Sequence, residues 1–171
     1  HGIEEKWLEE IVANEYKLVI CPDASSNDYE QHKFLKNNGI DVLVLDHHDA
    51  EEVSENAIII NNQLSDYPNK TLSGVGIVYK FCSKIDELMK IKEADTILDL
   101  VSLGMIADMM DMRNFETKHL IQKGLTRIEN PFFKALVERQ AYSIGETVTP
   151  IGVAFYIAPL INATIRVGTQ N

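Results

Sequence analysis

Four things are scarce in this 171-residue chain, and each scarcity argues against a class of protein. No run of 18 or more apolar residues occurs, so no segment is long enough to cross a bilayer as a helix. No cationic start followed by an apolar stretch marks a secretory signal, although the chain opens with His1 and carries no initiator Met. Cysteine is limited to Cys21 and Cys82, far apart and outside any C-x-x-C pattern. Both read as buried free thiols, with the cytoplasm as the default compartment. Basic charge is short as well: 16 Lys and Arg against 26 Asp and Glu leave a net charge of −10. That balance argues against a broadly basic surface for nucleic acid, but bound metal ions can reverse the field locally.

What is present suits a compact domain, since 45% of the residues are hydrophobic. Trp7, Leu8, Ile11 and Val12 have helical spacing in a segment that ends near Asn14. Leu18-Val19-Ile20-Cys21 is a short strand that stops at Pro22-Asp23. Ser25, Ser26 and Asn27 offer N-caps for a helix carrying Phe34 and Leu35, which closes at Asn37-Asn38-Gly39. A second strand runs through Val42-Leu43-Val44-Leu45, and a third, Ala57-Ile58-Ile59-Ile60, ends in Asn61-Asn62. Beyond that point the pattern is helical: "LSGVGIVYKFCSKI", "EADTILDLVSLGMIADMM", "ETKHLIQKGLTRI", "PFFKALVERQ" with Pro131 in its first turn, and "TPIGVAFYIAPLINATIRVG". Continuous apolar strands separated by a helix predict an α/β fold: a doubly wound, mostly parallel sheet flanked by helices, with a helix-rich C-terminal half. Internal repeats and low-complexity linkers are absent.

The polar residues fall at strand ends. Asp23 follows "KLVICP", and "DVLVL" runs straight into Asp46-His47-His48-Asp49. In open α/β sheets the carboxyl ends of parallel strands are where ligands bind, so two such ends bring Asp23 and the Asp-His-His cluster to one rim. Taken singly, each is a solvated turn residue or a helix cap; together they predict a site. Carboxylate and imidazole without thiolate suit Mn²⁺ or Mg²⁺, with zinc as a further option. Successive residues of an extended strand face opposite ways, so His47 and His48 share a task only if the chain turns between them. Asp108, after a markedly apolar helix, is either a third ligand or a solvated helix-terminal carboxylate, and Asp111 lies three residues on. Ser73 and Gly74 stand at a helix start whose free N–H groups suit a phosphate, while a plain turn or close packing explains the glycines equally. His32 and His119 read as surface residues; Phe155 and Tyr156 read as core.

Five segments in order, "VICPDASSND", "VLVLDHHDAE", "LSGVGIVYKF", "LVSLGMIADMMDM" and "IAPLINATIRVG", resemble the RecJ-type branch of the DHH phosphoesterase family. The likeness runs from about residue 17 to the last residue. It implies an α/β domain that holds two divalent metal ions, usually manganese, and hydrolyses phosphodiesters, with single-stranded DNA degraded from its 5′ end. Matched position by position, it implies Asp23, His47 and Asp108 as metal ligands, Asp46 as a ligand or a group behind the ligands, and His48 as a contact to the scissile phosphate. Asn162 and Arg166 match a segment that approaches substrate phosphate. The expected partners are single-stranded nucleic acid and replication or repair proteins, with no membrane.

Two family features have no counterpart. No Asp-x-Asp strand precedes Asp23, where Glu4, Glu5, Glu9 and Glu10 lie in a helix-like segment, and the chain stops where a second, substrate-binding domain would begin. Ile165 stands where the family pattern has Gly before Arg166. Residues 1–171 therefore read as one DHH phosphoesterase domain without its first strand, an interior piece of a longer protein. Related branches imply the alternatives: hydrolysis of short oligonucleotides or cyclic dinucleotides, or a non-catalytic scaffold of the same fold.

Overall fold

The computed structural model describes residues 2–168, and the side chains of residues 2–164. The chain divides into two compact units, residues 1–81 and 82–171.

The first unit is the α/β unit that the apolar runs predict. A 3-10 turn at Glu5–Trp7 leads into α1 (Leu8–Ala13), followed by β1 (Leu18–Pro22), α2 (Tyr29–Asn37), β2 (Asp41–Asp46), β3 (Ile58–Asn61) and the start of α3 (Gly74–Met89). The three strands are parallel in the order β1-β2-β3. Their register pairs Val19 with Val42, Cys21 with Val44, and Val44 in turn with Ile59. Alternation sends these residues to one face, where Leu35 of α2 and Leu8, Ile11 and Val12 of α1 pack on them. Leu35 and Val44 are fully buried, and each such side chain contributes roughly 1.5–3 kcal/mol through loss of water-exposed apolar area.

The central strand is buried on both faces, as a continuous apolar run requires. The two flanking strands are not: Leu18, Ile20 and Ile58 on the opposite face remain half or more exposed. Only the middle strand has neighbours on both edges as well as covered faces. The helix after β1 also starts later than expected. Asp28, not Ser25, Ser26 or Asn27, is its N-cap, and its side chain does not cap; the carboxylate accepts from the Ile3 backbone N–H at 2.7 Å. Gly39, at φ +73°, lets the chain leave α2 through a left-handed turn.

His32, read from sequence as a surface residue, is completely buried on α2, one helical step from Leu35. The inward face of α2 is too short of apolar residues to exclude it. Neither of its ring nitrogens has a hydrogen-bond partner among the described residues. Burial pushes its pKa below the ordinary imidazole range, against the pull of the nearby Asp28 carboxylate.

In the second unit, a 3-10 turn at Ala94–Ile97 precedes α4 (Leu98–Ala107), and α5 (Phe115–Leu125), α6 (Pro131–Arg139), α7 (Ala141–Ile144), α8 (Pro150–Tyr156) and α9 (Ala158–Gly168) follow. Helix α4 is buried around most of its circumference. It packs against α5 so closely that a Cβ on Gly124 would collide with the Leu98 carbonyl and Ser102. Buried Asp99 accepts from the backbone N–H groups of Leu100, Glu129 and Asn130, fixing the approach to α6, which Asn130 then caps. The single terminal helix expected from sequence is instead two. Pro159 has no N–H to continue the ladder and disfavours the helical region for Ala158, so the chain breaks at Ile157.

Phe155 and Tyr156 do not belong to the core: they are 72% and 44% exposed, while Val153 and Ile157, four residues apart, are fully buried. His119 is exposed, as expected. Cys21 is buried, Cys82 half-buried, and both thiols are free. No described helix is long and apolar enough to cross a membrane.

The buried His32 yields a pH dependence. Its folded pKa lies below the unfolded value of about 6.5, so the unfolded chain binds the extra proton first. The stability contributed by a neutral His32 is complete above about pH 6.5 and falls as pH drops below it. Urea unfolding at pH 7.5 and pH 5.5 should show a loss for the parent that His32→Leu reduces; an unchanged difference would remove His32 as its source.

Candidate metal centre

The ends of β1 and β2 define the site. Strand β1 terminates at Pro22, yet the next residue still reaches the ladder: the Asp23 N–H donates to the Leu45 carbonyl at 2.8 Å. Asp23 does so with φ +59° and Ser25 follows at φ +81°, a left-handed conformation uncommon outside glycine but tolerated by Asp. These two residues turn the chain so that the Asp23 carboxylate stands beside the end of β2.

Strand β2 ends on a buried charge. Asp46 is 1% exposed, and its carboxylate accepts from four donors. Oδ1 takes the backbone N–H of His47 at 2.8 Å, that of His48 at 3.3 Å, and His48 Nδ1 at 2.7 Å. Oδ2 takes the Ser26 N–H at 3.2 Å. Burial opposes the charge, but the bonds from His48, Ser26 and His47 outweigh it and hold the carboxyl below the usual carboxylate range. Asp46 is therefore ionised at neutral pH and can only accept, which puts a proton on His48 Nδ1 and leaves Nε2 as the ring atom able to accept.

The same bonds answer how two successive histidines can serve one site. By binding its own next two N–H groups, the Asp46 side chain forces a tight turn immediately after the strand. The alternation of a strand is lost there. The His47 and His48 rings come to lie 4.6 Å apart between centroids. His47 Nε2 approaches Asp23 Oδ1 at 3.2 Å. One ligand atom each from Asp23, His47 and His48 falls within 4.8 Å of the others.

The donor set fits a divalent cation: one carboxylate oxygen and two imidazole nitrogens, half-open to solvent and without thiolate. Three protein donors leave further coordination positions for water or a substrate oxygen. Asp46 sits behind these ligands.

Gly74, expected to offer an N–H to phosphate, shows a second property: a Cβ there would overlap the Asp23 side chain down to its own Cβ. The glycine makes room for the metal-facing carboxylate. Ser73, just before α3, is fully buried; its carbonyl accepts from Ile77 N–H, and its hydroxyl has no partner among the described residues. Asp108, Asn162 and Arg166 belong to the second unit. Asp108 is the exposed C-cap of α4, its N–H bonded to the Gly104 carbonyl at 2.9 Å. Asn162 is exposed on α9, and the Arg166 side chain lies outside the described residues. The cluster is built from the first unit alone.

Two residues of the site carry no charge to draw attention in the sequence. Asn61 ends β3 directly opposite Asp46 in the register. Ser26, read as a helix cap, instead gives its N–H to Asp46 and accepts from Asn61 Nδ2 at its hydroxyl. Their signal was positional: Asn61 closes the third parallel strand on the same rim. Asn27, likewise, staples loops, donating to the Asp49 carbonyl at 3.0 Å.

Known proteins resemble this chain in sequence and in structure. The model of the DHH family, N-terminal domain, matches residues 3–105. A SPbeta prophage-derived protein of Bacillus subtilis, YorK, named as a candidate single-strand DNA-specific exonuclease, is 47% identical over 170 residues. The chain spans 30% of that relative's length, with 99% of the chain aligned. The single-stranded-DNA-specific exonuclease RecJ of Bacillus subtilis is 29% identical over 174 residues, 98% of this chain and 21% of that protein. Among solved structures, exonuclease RecJ bound to manganese superposes with a TM-score of 0.81 at 25% identity, over 98% of this chain and 43% of the other.

The contact between Gly74 and Asp23 can be tested directly. Gly74→Ala should displace the carboxylate and weaken Mn²⁺ binding by about ten- to a hundredfold, as losses of ligand-supporting groups do. Titration calorimetry on parent and variant measures it; equal affinities would mean that Asp23 moves aside without consequence.

Proposed function

The chain belongs to the DHH family, and from that premise we propose that it is the catalytic part of a metal-dependent phosphodiesterase that degrades single-stranded DNA from its 5′ end. The observation that carries the proposal is the convergence of Asp23, His47 and His48 in front of the buried Asp46. Support comes from relatives named as single-stranded-DNA-specific exonucleases and from a RecJ structure that holds manganese. The whole span 1–171 is assigned to one DHH phosphoesterase domain on the strength of a structural likeness that runs over 98% of the chain.

In this reading Asp23 and His47 hold the ion, Mn²⁺ or Mg²⁺; Asp108 is a ligand by the family resemblance alone. A divalent ion in such a site lowers the pKa of bound water and neutralises charge on a phosphate oxygen. The chain's own residues do the rest. Asp46 keeps its charge and fixes the His48 ring through Nδ1, so that Nε2 faces the phosphate in one orientation. Hydrolysis forms one P–O bond to water and breaks the bond to the leaving sugar oxygen, which takes up a proton. Ser73 and Gly74 hold a neighbouring phosphate; the family resemblance alone gives Asn162 and Arg166 the same task. An acidic chain with net charge −10 needs the cation for this, because its carboxylates alone would repel the backbone of a nucleic acid. The place of action is the cytoplasm, alongside replication or repair proteins.

The test uses the reading frame that carries this chain and single-stranded DNA labelled at either end. Expected is Mn²⁺-dependent release of nucleotide from the 5′ end, with His48→Ala lowering kcat by about a hundredfold or more while duplex DNA is spared. Hydrolysis confined to dinucleotides or cyclic dinucleotides would instead assign a small-substrate phosphodiesterase. Metal binding without cleavage of any of these would make the protein a scaffold.

A further inference from the structure

We propose that Asn61, at the C-terminal end of β3, is a positioning residue that fixes the His48 ring by clamping its main chain; this rests on the reading of His48 as the phosphate-facing group. Asn61 is 3% exposed, and every hydrogen-bonding group of its side chain is engaged. Its Nδ2 donates to the His48 carbonyl and to Ser26 Oγ, both at 2.9 Å, and its Oδ1 accepts from the Gln63 N–H at 2.8 Å. The partners dictate the amide orientation. The His48 carbonyl can only accept and the Gln63 N–H can only donate, so a flipped amide would lose both bonds.

The bonds close a cycle. Asp46 and Asn61 face each other across β2 and β3. Asp46 Oδ1 grips the ring of His48 at Nδ1, and Asn61 grips the same residue at its carbonyl. Ser26 ties the two grips together, giving its N–H to Asp46 Oδ2 and accepting from Asn61 at its hydroxyl. A histidine ring hangs from the backbone by two rotatable bonds, so the position of Nε2 depends on the main chain as well as on the bond at Nδ1. The His48 side chain is 54% exposed, and Asp49, Glu51, Glu52 and Val53 after it are exposed too. Asp46 holds that main chain at the His48 N–H, and Asn61, itself buried, holds it at the carbonyl.

The residue type follows. An Asp at this position would keep the shape but turn an oxygen toward the His48 carbonyl and add a second buried charge beside Asp46. Alanine would leave the carbonyl without its partner. Neither change touches the Asp23 and His47 atoms that face the cation.

The test reads His48 itself. In the parent, imidazole ¹⁵N NMR should show a slowly exchanging, downfield Nδ1 proton on His48. In Asn61→Ala and Asn61→Ser that signal should broaden or exchange at least about tenfold faster, while the dissociation constant for Mn²⁺ stays within about threefold. On DNA the variants should lose about tenfold in kcat with KM nearly unchanged. A purely structural Asn61 would lower the melting temperature and leave the ring signal of the folded protein as it was, which would overturn the proposal. Exchange of the Asn61 side-chain amide in the unmutated chain decides the matter should neither variant fold: protection of about a hundredfold or more is expected, and free-amide exchange overturns it. If the parent cleaves no DNA at all, the function reading fails while the ring and amide signals still report on the clamp.

Discussion

A buried carboxylate must be met by hydrogen-bond donors, and around Asp46 that requirement shapes the whole rim of the sheet. Four donors converge on it, two from the turn after β2, one from the His48 ring and one from the loop after β1. Satisfying this one group bends the chain at the end of β2, selects the His48 tautomer and draws in the Ser26 backbone, which lies between Asp23 and α2. The cluster of Asp23, His47 and His48 is a consequence. Were Asp46 solvated, nothing would compel two successive residues to present their rings to one point.

The scaffold supplies the rigidity that this needs. The buried central strand and the residues packed on it, Leu35 and Ile40 among them, hold the ends of β1, β2 and β3 at one level. Steric economy acts beside it, since Gly74 leaves space for Asp23 where any side chain would intrude. Local strain sits at the site as well. Asp23 and Ser25 hold left-handed backbone conformations that ordinary loops avoid, and persist because the Leu45 carbonyl and the surrounding bonds determine them.

Much of this was legible from residue order. Apolar runs that stop abruptly in polar residues located all three strands, the parallel α/β class and the histidine pair, because strand length and side-chain type are local properties. Other features were not local. That His32 would be buried depends on which face of α2 meets the sheet, and that Phe155 and Tyr156 would be exposed depends on a helix break set by Pro159. The turn between His47 and His48 depends on Asp46 folding back on its own backbone, a choice that period-two reasoning cannot make. Asn61 and Ser26 read only as a strand end and a helix cap because neutral amides and hydroxyls are common, and only the register that sets Asn61 opposite Asp46 gives them a place in the site.

The central claim is that Asp23 and His47, beside His48, hold a cation. Calorimetric titration of Mn²⁺ into this chain and into an Asp23→Ala, His47→Ala double variant tests it most directly. The account predicts binding near micromolar affinity, about −8 kcal/mol, in the parent and its loss in the variant. Equal heats and affinities in the two proteins would contradict it.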